Sequence, residues 1–142
     1  MKFIYLSKAF YQKYSNCTEI LIKENRPYAC LRVNVQGKDF AIPFRHNIQH
    51  KYAFHTVGNC GLDYTKAVPI TDDAHIDDAT PRIDSAEYQA VKGKEHIIEK
   101  EMARYIELYK KAKLQANTPF YQNIIKYSAL QYFESDLITH NK

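Results

Sequence analysis

The chain has 142 residues, of which 45% are hydrophobic and 13% aromatic, a composition typical of one globular domain with a core of ordinary size. Its net charge of +4 and pI near 8.8 permit an anionic partner but exclude the extreme basicity of histone-like proteins. The three cysteines have no CxxC spacing, which disfavours a zinc site and a disulfide framework. We therefore expect one domain over residues 1–142 that uses no metal and no cofactor.

The apolar runs are short. The N-terminal run of residues 1–6 is too brief for a signal peptide, and no segment approaches the roughly 18 apolar residues of a membrane span. We expect a cytoplasmic protein without a membrane partner.

The first half of the chain predicts short strands. Residues 2–6 form a first strand, and Ser7 is a candidate N-cap for a helix that ends near Tyr14. Residues 27–35 alternate polar and apolar side chains, and Gln36-Gly37-Lys38-Asp39 predicts a hairpin turn into a strand over 40–44.

Two further strands are predicted over 52–56 and 66–71, separated by the glycine-containing segment 58–61. Five short strands in the first half of the chain favour a compact, strongly bent antiparallel sheet or barrel.

The second half changes to a helical period. Ser85 is a candidate cap for a helix that ends near Val91, and Gly93 separates it from a longer helix over 94–114. One stripe of that helix carries apolar residues at helical spacing, namely Ile98, Met102, Tyr105, Ile106, Tyr109 and Ala112. Glu107 and Lys111 are expected to pair on its other side.

Thr118-Pro119 predicts the start of another helix, and residues 128–137 predict a last one. Strands followed by helices define the class α+β, with helices flanking the sheet.

Charge is unevenly distributed. Residues 23–66 contain seven Lys and Arg against three Asp and Glu, whereas residues 71–87 contain six acids and one arginine. This predicts a polarised surface with one face that attracts phosphate. The acidic cluster 72–78 includes His75, but its spacing matches no recognised metal-binding loop, so its carboxylates are expected to cap turns.

The segment 40–51 combines proton carriers with cations. After an apolar strand and Pro43 it reads Arg45-His46-Asn47-Ile48-Gln49-His50-Lys51. Imidazoles exchange protons near neutral pH, and Arg45 and Lys51 can hold a phosphate, which is a combination suited to RNA cleavage without metal. The alternative is structural, because turn histidines and charged sheet edges are common without any catalytic role.

The same segment, together with Gly61-Leu62-Asp63-Tyr64-Thr65-Lys66-Ala67-Val68, closely resembles the TenpN-like toxins of bacterial type III toxin–antitoxin systems, which are relatives of ToxN and AbiQ. The similarity extends through the residues around Arg104-Tyr105-Ile106 and the terminal 127–133. Where ToxN-type relatives have Thr-Ser and then a lysine, this chain has Arg45-His46-Asn47. A role for His46 is therefore inferred from its own side chain.

The resemblance implies a compact barrel-like endoribonuclease with flanking helices, in a fold related to MazF and Kid. It implies transesterification that leaves a 2′,3′-cyclic phosphate and a 5′-hydroxyl. The partners it implies are cellular or phage RNA substrates and a small RNA antitoxin of pseudoknot repeats, which the toxin trims and binds in a hetero-oligomeric protein–RNA assembly.

Cleavage of this kind needs a base, an acid and positive charge at the phosphorane. The catalytic candidates are Arg26, Arg45, His46 and His50, where either histidine could be the acid or the base. The RNA-binding candidates are Asn47, Lys51, Tyr52, Tyr64, Lys66, Lys92 and Lys94, with the two tyrosines as stacking platforms.

Two other classes of function are compatible with the sequence. One is a catalytically weak or inactive RNA-binding module of the same fold, suggested by the replaced Thr-Ser and lysine positions. The other is a protein-interaction domain, suggested by the acidic region 71–87.

Overall fold

The computed structural model describes residues 1–21 and 27–137 and has the predicted class, α+β. Within these residues, six antiparallel strands form the sheet: β1 (Lys2–Tyr5), β2 (Ala29–Val35), β3 (Lys38–Arg45), β4 (Ala53–His55), β5 (Gly61–Asp63) and β6 (Val68–Pro69). The helices are α1 (Lys8–Lys13), α2 (Ser85–Val91), α3 (Glu95–Leu114), α4 (Pro119–Lys126) and α5 (Glu134–Leu137).

The sheet is open, so of the two alternatives that the sequence allows, a bent sheet or a barrel, the structure has the sheet. Its strand order is β1-β2-β3-β5-β4, and β6 pairs with β3 beside this path. Over the described residues β1 and β4 stay unpaired with each other, so the ends of the path do not meet. The sheet instead branches at β3, whose first half pairs with β6 and whose end pairs with β5. Pro43, which lacks an N–H, lies where the partner changes.

The predicted hairpin is confirmed, with a tighter turn than expected. Gln36 and Gly37 both have positive φ, 55° and 86°, and β3 begins at Lys38. A two-residue turn of this kind matches the right-handed twist of the flanking strands, so the ladder extends two residues further toward the turn.

Helix α3 covers one face of the sheet, and every member of its predicted apolar stripe is buried. Leu31, Val33 and Ile42 pack against it in the larger core cluster. The opposite face carries a second cluster that joins Phe10 of α1 to Phe133. On the surface of α3 the ion pair of Glu107 is with Lys110 at 3.6 Å, one residue before the predicted partner.

Helix caps follow the sequence closely. The side chain of Ser7 accepts a hydrogen bond from the N–H of Phe10, and Thr118 accepts from Tyr121 ahead of Pro119. At α2 the cap is Asp84, one residue before the predicted Ser85. In the acidic cluster, Asp72 accepts from the N–H of Ala74, so it caps a turn as predicted.

The largest differences concern three short segments. Residues 66–71 were expected to be a strand, but residues 64–66 form a 3₁₀ turn and only Val68–Pro69 pairs with β3. The expected last helix is divided into a 3₁₀ turn over Ala129–Tyr132 and the short α5. Strand β5 (Gly61–Asp63) was not predicted, because three residues carry no visible periodicity.

Candidate functional site

Asp63, the last residue of β5, is the buried centre of a polar cluster. Its side chain has 0% exposure, and Oδ2 lies 2.7 Å from Nη1 of Arg45. Oδ1 accepts hydrogen bonds from the hydroxyl of Thr65 at 2.6 Å and from its N–H at 2.9 Å. Burial by itself raises the pKa of the Asp63 carboxyl, but contacts from His50, Thr65 and Arg45 outweigh it and hold this pKa below its usual value.

The sheet register explains why Arg45 reaches Asp63. Arg45 is opposite Gly61 in the β3–β5 ladder, and Asp63 is two residues further, on the same face of β5. Gly61 has no side chain to block the diagonal contact. A Cβ there would lie 2.2 Å from the carbonyl oxygen of Phe54, so only glycine fits between the strands.

His50 belongs to the same cluster, but its ring nitrogens are not available to a substrate. Nδ1 accepts a hydrogen bond from the N–H of Tyr52 at 3.0 Å, which requires an unprotonated Nδ1 and places the proton on Nε2. Nε2 is buried and lies 3.2 Å from Oδ1 of Asp63, out of line for a normal hydrogen bond. In this arrangement the buried Nε2 of His50 faces the carboxylate of Asp63.

Arg45 and His50 open onto a cavity of about 450 Å³ between the end of the sheet and α4. Aromatic rings make up much of its wall: Tyr52, Tyr105, Phe120 and Tyr127. Its polar lining includes Asn123, Thr65 and Lys66. A cleft of this size with aromatic walls and a few polar groups suits a planar ligand such as a nucleobase.

The α4 wall exposes two aromatic rings to solvent. Phe120 is 53% exposed and Tyr127 is 52% exposed, although aromatic side chains of this size usually bury most of their surface. Phe120 and Asn123 lie three residues apart on one face of α4, and Tyr127 is the C-cap that follows the last residue of this helix. Ile124 anchors the helix to the core, so the face is rigidly presented.

Tyr105 of α3 places a hydroxyl inside this region. The residue is 4% exposed, and no hydrogen bond of normal geometry reaches its hydroxyl within the described residues. Burial raises the pKa of this phenol above its ordinary value, against a smaller opposing effect of Ser128. The group therefore stays protonated at neutral pH as a hydrogen-bond donor.

Three lysines lie in or near this cavity, and they differ in whether their charge is paired. Nζ of Lys66 donates to Glu19 at 2.5 Å and to the carbonyl of Tyr127 at 2.8 Å, so its charge is already neutralised. Lys51 lies 5.6 Å from the ring centre of Tyr52, and Lys126 lies 5.3 Å from that of Tyr127. Neither has an ion-pair partner in the described part of the chain, so both can meet phosphates.

The structure does not bring His46 to Arg45. His46 is the first residue after β3, and its side chain lines a separate cavity of about 830 Å³ next to Cys60. The expectation that the guanidinium of Arg45 and the imidazole of His46 act on one phosphate is therefore not supported by their positions.

The other predicted residues lie in varied places. Tyr64 is 3% exposed and its hydroxyl donates to Glu101 at 2.7 Å, so its ring belongs to the core and offers no face to a base. Asn47 is exposed in the turn after β3 with φ 58°. Lys92 and Lys94 are exposed at the α2–α3 junction, away from the lining of the Arg45 cavity. Arg26 lies outside the described residues.

Several residues of this site were not predicted. Asp63 lay within a recognised motif, but its role depends on a strand too short to show in the sequence. The apolar stripe of α3 predicts that the ring of Tyr105 is buried, and it is. The stripe does not predict where the hydroxyl lies. Phe120 and Asn123 of α4 and Tyr127 at its C-cap carried a readable signal, since their spacing in the sequence is helical.

Comparison of the chain with models of protein families, with curated proteins and with solved structures finds no match. Among the described residues, no cluster of three or more His, Cys, Asp and Glu side chains is placed to hold a metal ion. No helix in the same part of the chain combines the length and apolar character needed to cross a membrane.

Proposed function

We propose that this protein is a metal-independent endoribonuclease toxin of a type III toxin–antitoxin system, which binds single-stranded RNA in the cavity between Arg45 and α4. The observation that carries the proposal is the placement of one guanidinium beside solvent-exposed aromatic rings in a single cleft. Unpaired bases stack on such rings, and a guanidinium meets the phosphate that connects them.

The expected chemistry divides between two residues of the cavity. The ribose 2′-hydroxyl gives its proton to hydroxide from solvent and attacks the adjacent phosphorus. The bond to the 5′-oxygen breaks, this oxygen takes up a proton, and the products carry a 2′,3′-cyclic phosphate and a 5′-hydroxyl. Arg45 is one-quarter exposed and keeps N–H donors beyond the Nη1 that binds Asp63, and these would stabilise the charged phosphorane. The hydroxyl of Tyr105 is buried, as Nε2 of His50 is, so it would supply the proton to the departing 5′-oxygen only if RNA binding uncovers it.

Substrate recognition would come mainly from stacking. Asp63 and Glu19 offset the charges of Arg45 and Lys66, so the cavity wall is nearly neutral. Lys51 and Lys126, which have no ion-pair partner in the described part of the chain, lie beside the cavity residues Tyr52 and Tyr127. These two lysines would follow the sugar-phosphate backbone. We therefore expect affinity to depend on unpaired bases as well as on salt.

The inhibitory partner proposed here is a small structured RNA with pseudoknot repeats, held with the protein in a hetero-oligomeric assembly in the cytoplasm. A relationship of the fold to the MazF and Kid barrels is part of the same proposal. Its support is the long strand β3, which pairs with β2 along one edge and with β6 and then β5 along the other. A long strand that connects two parts of a sheet in this way is also found in small barrels.

A second candidate is an RNA-binding module that does not cleave. It is favoured by one observation: Nδ1 of His50 accepts from Tyr52, its Nε2 is buried, and the carboxylate of Asp63 is buried, so neither residue presents a proton acceptor to the cavity. Stacking and phosphate contacts need no such group.

The test is to incubate the purified protein with single-stranded RNA in a metal chelator and to map the ends of the products. Cyclic-phosphate ends support the nuclease, and salt-dependent binding without cleavage supports the second candidate. Absence of both would overturn the proposal and favour a protein-interaction domain. Expression without any partner RNA should arrest growth if the protein is a toxin.

The matched variants are Arg45→Lys and Arg32→Lys. Each keeps the charge of an arginine that is paired with an aspartate, and the two side chains are similarly exposed, at 28% and 25%. Arg32 lies outside the Arg45 cavity. We expect Arg45→Lys to reduce cleavage and Arg32→Lys to leave it unchanged, because a lysine cannot contact carboxylate and phosphate together as a guanidinium does.

A further inference from the structure

Cys60 and His46 form a thiol–imidazole pair outside the cavity next to Arg45. Sγ of Cys60 lies 3.2 Å from Nδ1 of His46, within hydrogen-bonding distance for sulfur. Cys60 is half-exposed and His46 is exposed. Both line the cavity of about 830 Å³ between the sheet and the segment leading into α2.

The sheet register creates this pair. Arg45 and Gly61 form the terminal pair of the β3–β5 ladder, so His46 and Cys60 are the next residues across from each other. The turn that carries Cys60 is closed by two hydrogen bonds, from the N–H of Cys60 to the carbonyl of Val57 and from the N–H of Thr56 to the carbonyl of Cys60, each 2.9 Å. The pair is therefore held by the backbone and is not a chance contact of long side chains.

The three cysteines provide an internal comparison. Cys30 is 2% exposed, and burial raises the pKa of its thiol to about 12, so it is inert at neutral pH. Cys17 is half-exposed like Cys60, but no imidazole contacts it among the described residues. Cys60 alone combines access with a proton acceptor, which is the arrangement that activates thiol nucleophiles.

We propose that Cys60 is a reactive thiol, with His46 as its proton acceptor, and that it is a modification site for small neutral electrophiles, hydroperoxides in particular. The thiol proton passes to Nδ1 of His46, and the sulfur attacks the distal oxygen of hydrogen peroxide. The O–O bond breaks and the departing hydroxide takes the proton from His46. Sulfur is oxidised to a sulfenic acid and the peroxide is reduced to water.

The cavity lining explains the preference for neutral reagents. Asp77, Asp84 and Glu87 line it together with one cation, Arg82, so an anionic reagent meets net negative charge. Rings of Tyr28 and Phe44 complete an apolar part of the wall. This site does not depend on RNA binding, because its residues are separate from those around Arg45.

The test follows each cysteine of the full chain by mass spectrometry during alkylation with iodoacetamide, and during exposure to hydrogen peroxide with dimedone as the sulfenic-acid trap. We expect Cys60 to react about tenfold faster than Cys17 with iodoacetamide, and to be the main site of dimedone labelling. With iodoacetate, which is anionic, the ratio of the Cys60 rate to the Cys17 rate should fall.

The variant His46→Gln removes the proton acceptor and keeps a polar side chain at an exposed position, so the fold should persist, as circular dichroism would check. The matched control is His55→Gln, an exposed histidine on β4 whose side chain makes no hydrogen bond to the thiol of Cys60 in the described part of the chain. We expect His46→Gln to slow Cys60 about tenfold and His55→Gln to leave it unchanged. Equal rates for Cys60 and Cys17, or an unchanged Cys60 rate in His46→Gln, would overturn the inference.

Discussion

Nη1 of Arg45 lies 2.7 Å from Oδ2 of Asp63, a carboxylate with 0% exposure. One side of the guanidinium is thus fixed by a buried charge, while the side chain as a whole remains 28% exposed at the edge of a cavity. A partly buried arginine held this way loses little rotamer freedom when it binds a ligand. The relationship would preorganise Arg45 for the anion contact proposed above, and it makes the fold depend on Asp63.

Replacement of Asp63 by asparagine should therefore destabilise the protein. The change leaves Arg45 without its charge partner, and we expect the free energy of unfolding to fall by about 2–3 kcal/mol, since one partner of the pair is buried and the other only partly so. Urea denaturation at neutral pH measures it. Asp39→Asn, at the more exposed Arg32–Asp39 pair, is the control and should cost less than about 1 kcal/mol. Equal losses would show that burial of Asp63 adds nothing.

The same carboxylate predicts an acid-sensitive component of stability. The pKa of Asp63 is lower in the folded protein than in the unfolded chain, so between the two values the unfolded chain binds more protons. The stabilisation is complete above the ordinary aspartate pKa of about 4 and is lost as pH falls through the folded pKa. Unfolding curves from pH 7 to pH 3 should fall less steeply for Asp63→Asn than for the wild type. Asp39, whose pKa is also lowered, contributes alike to both proteins. Parallel curves would contradict the prediction.

The exposed rings of α4 should contribute to RNA affinity rather than to stability. We expect Phe120→Ala and Tyr127→Ala each to weaken binding of a short single-stranded RNA by about 1–2 kcal/mol, the usual worth of one stacked base. Fluorescence anisotropy with a labelled oligonucleotide measures the Kd. Tyr88→Ala is the control, because Tyr88 is an exposed aromatic residue outside the cavity. An equal loss in Tyr88→Ala would show that the effect is not local.

Tyr105→Phe separates binding from cleavage. The variant removes only the hydroxyl, which has no normal hydrogen bond in the described structure, so stability should be unchanged or slightly higher. If the hydroxyl protonates the departing oxygen, the single-turnover cleavage rate should fall about 100-fold while the Kd for RNA stays the same. Unaltered cleavage would exclude Tyr105 as the proton donor.

Local rules predicted much of the fold. The hairpin turn, the Ser7 and Thr118 caps and the buried stripe of α3 follow from interactions between residues close in the chain. Such local rules could not predict whether the sheet is open or closed, because this depends on which strands pair when they are distant in the chain. Strand β5 shows the limit most clearly: its three residues have no pattern of their own, yet they pair with both β3 and β4.

The candidate site divides in the same way. The sequence was enough to show that the segment 40–51 contains two imidazoles and two cations, and that Arg45 lies at the end of a strand. Only the tertiary structure decided that Arg45 joins His50 and Asp63 while His46 joins Cys60. The separation arises where β3 ends, because the cross-strand register gives each residue a different partner. Arg45, the last residue of β3, pairs with Gly61 and reaches Asp63 across the ladder, whereas His46, the next residue, lies across from Cys60.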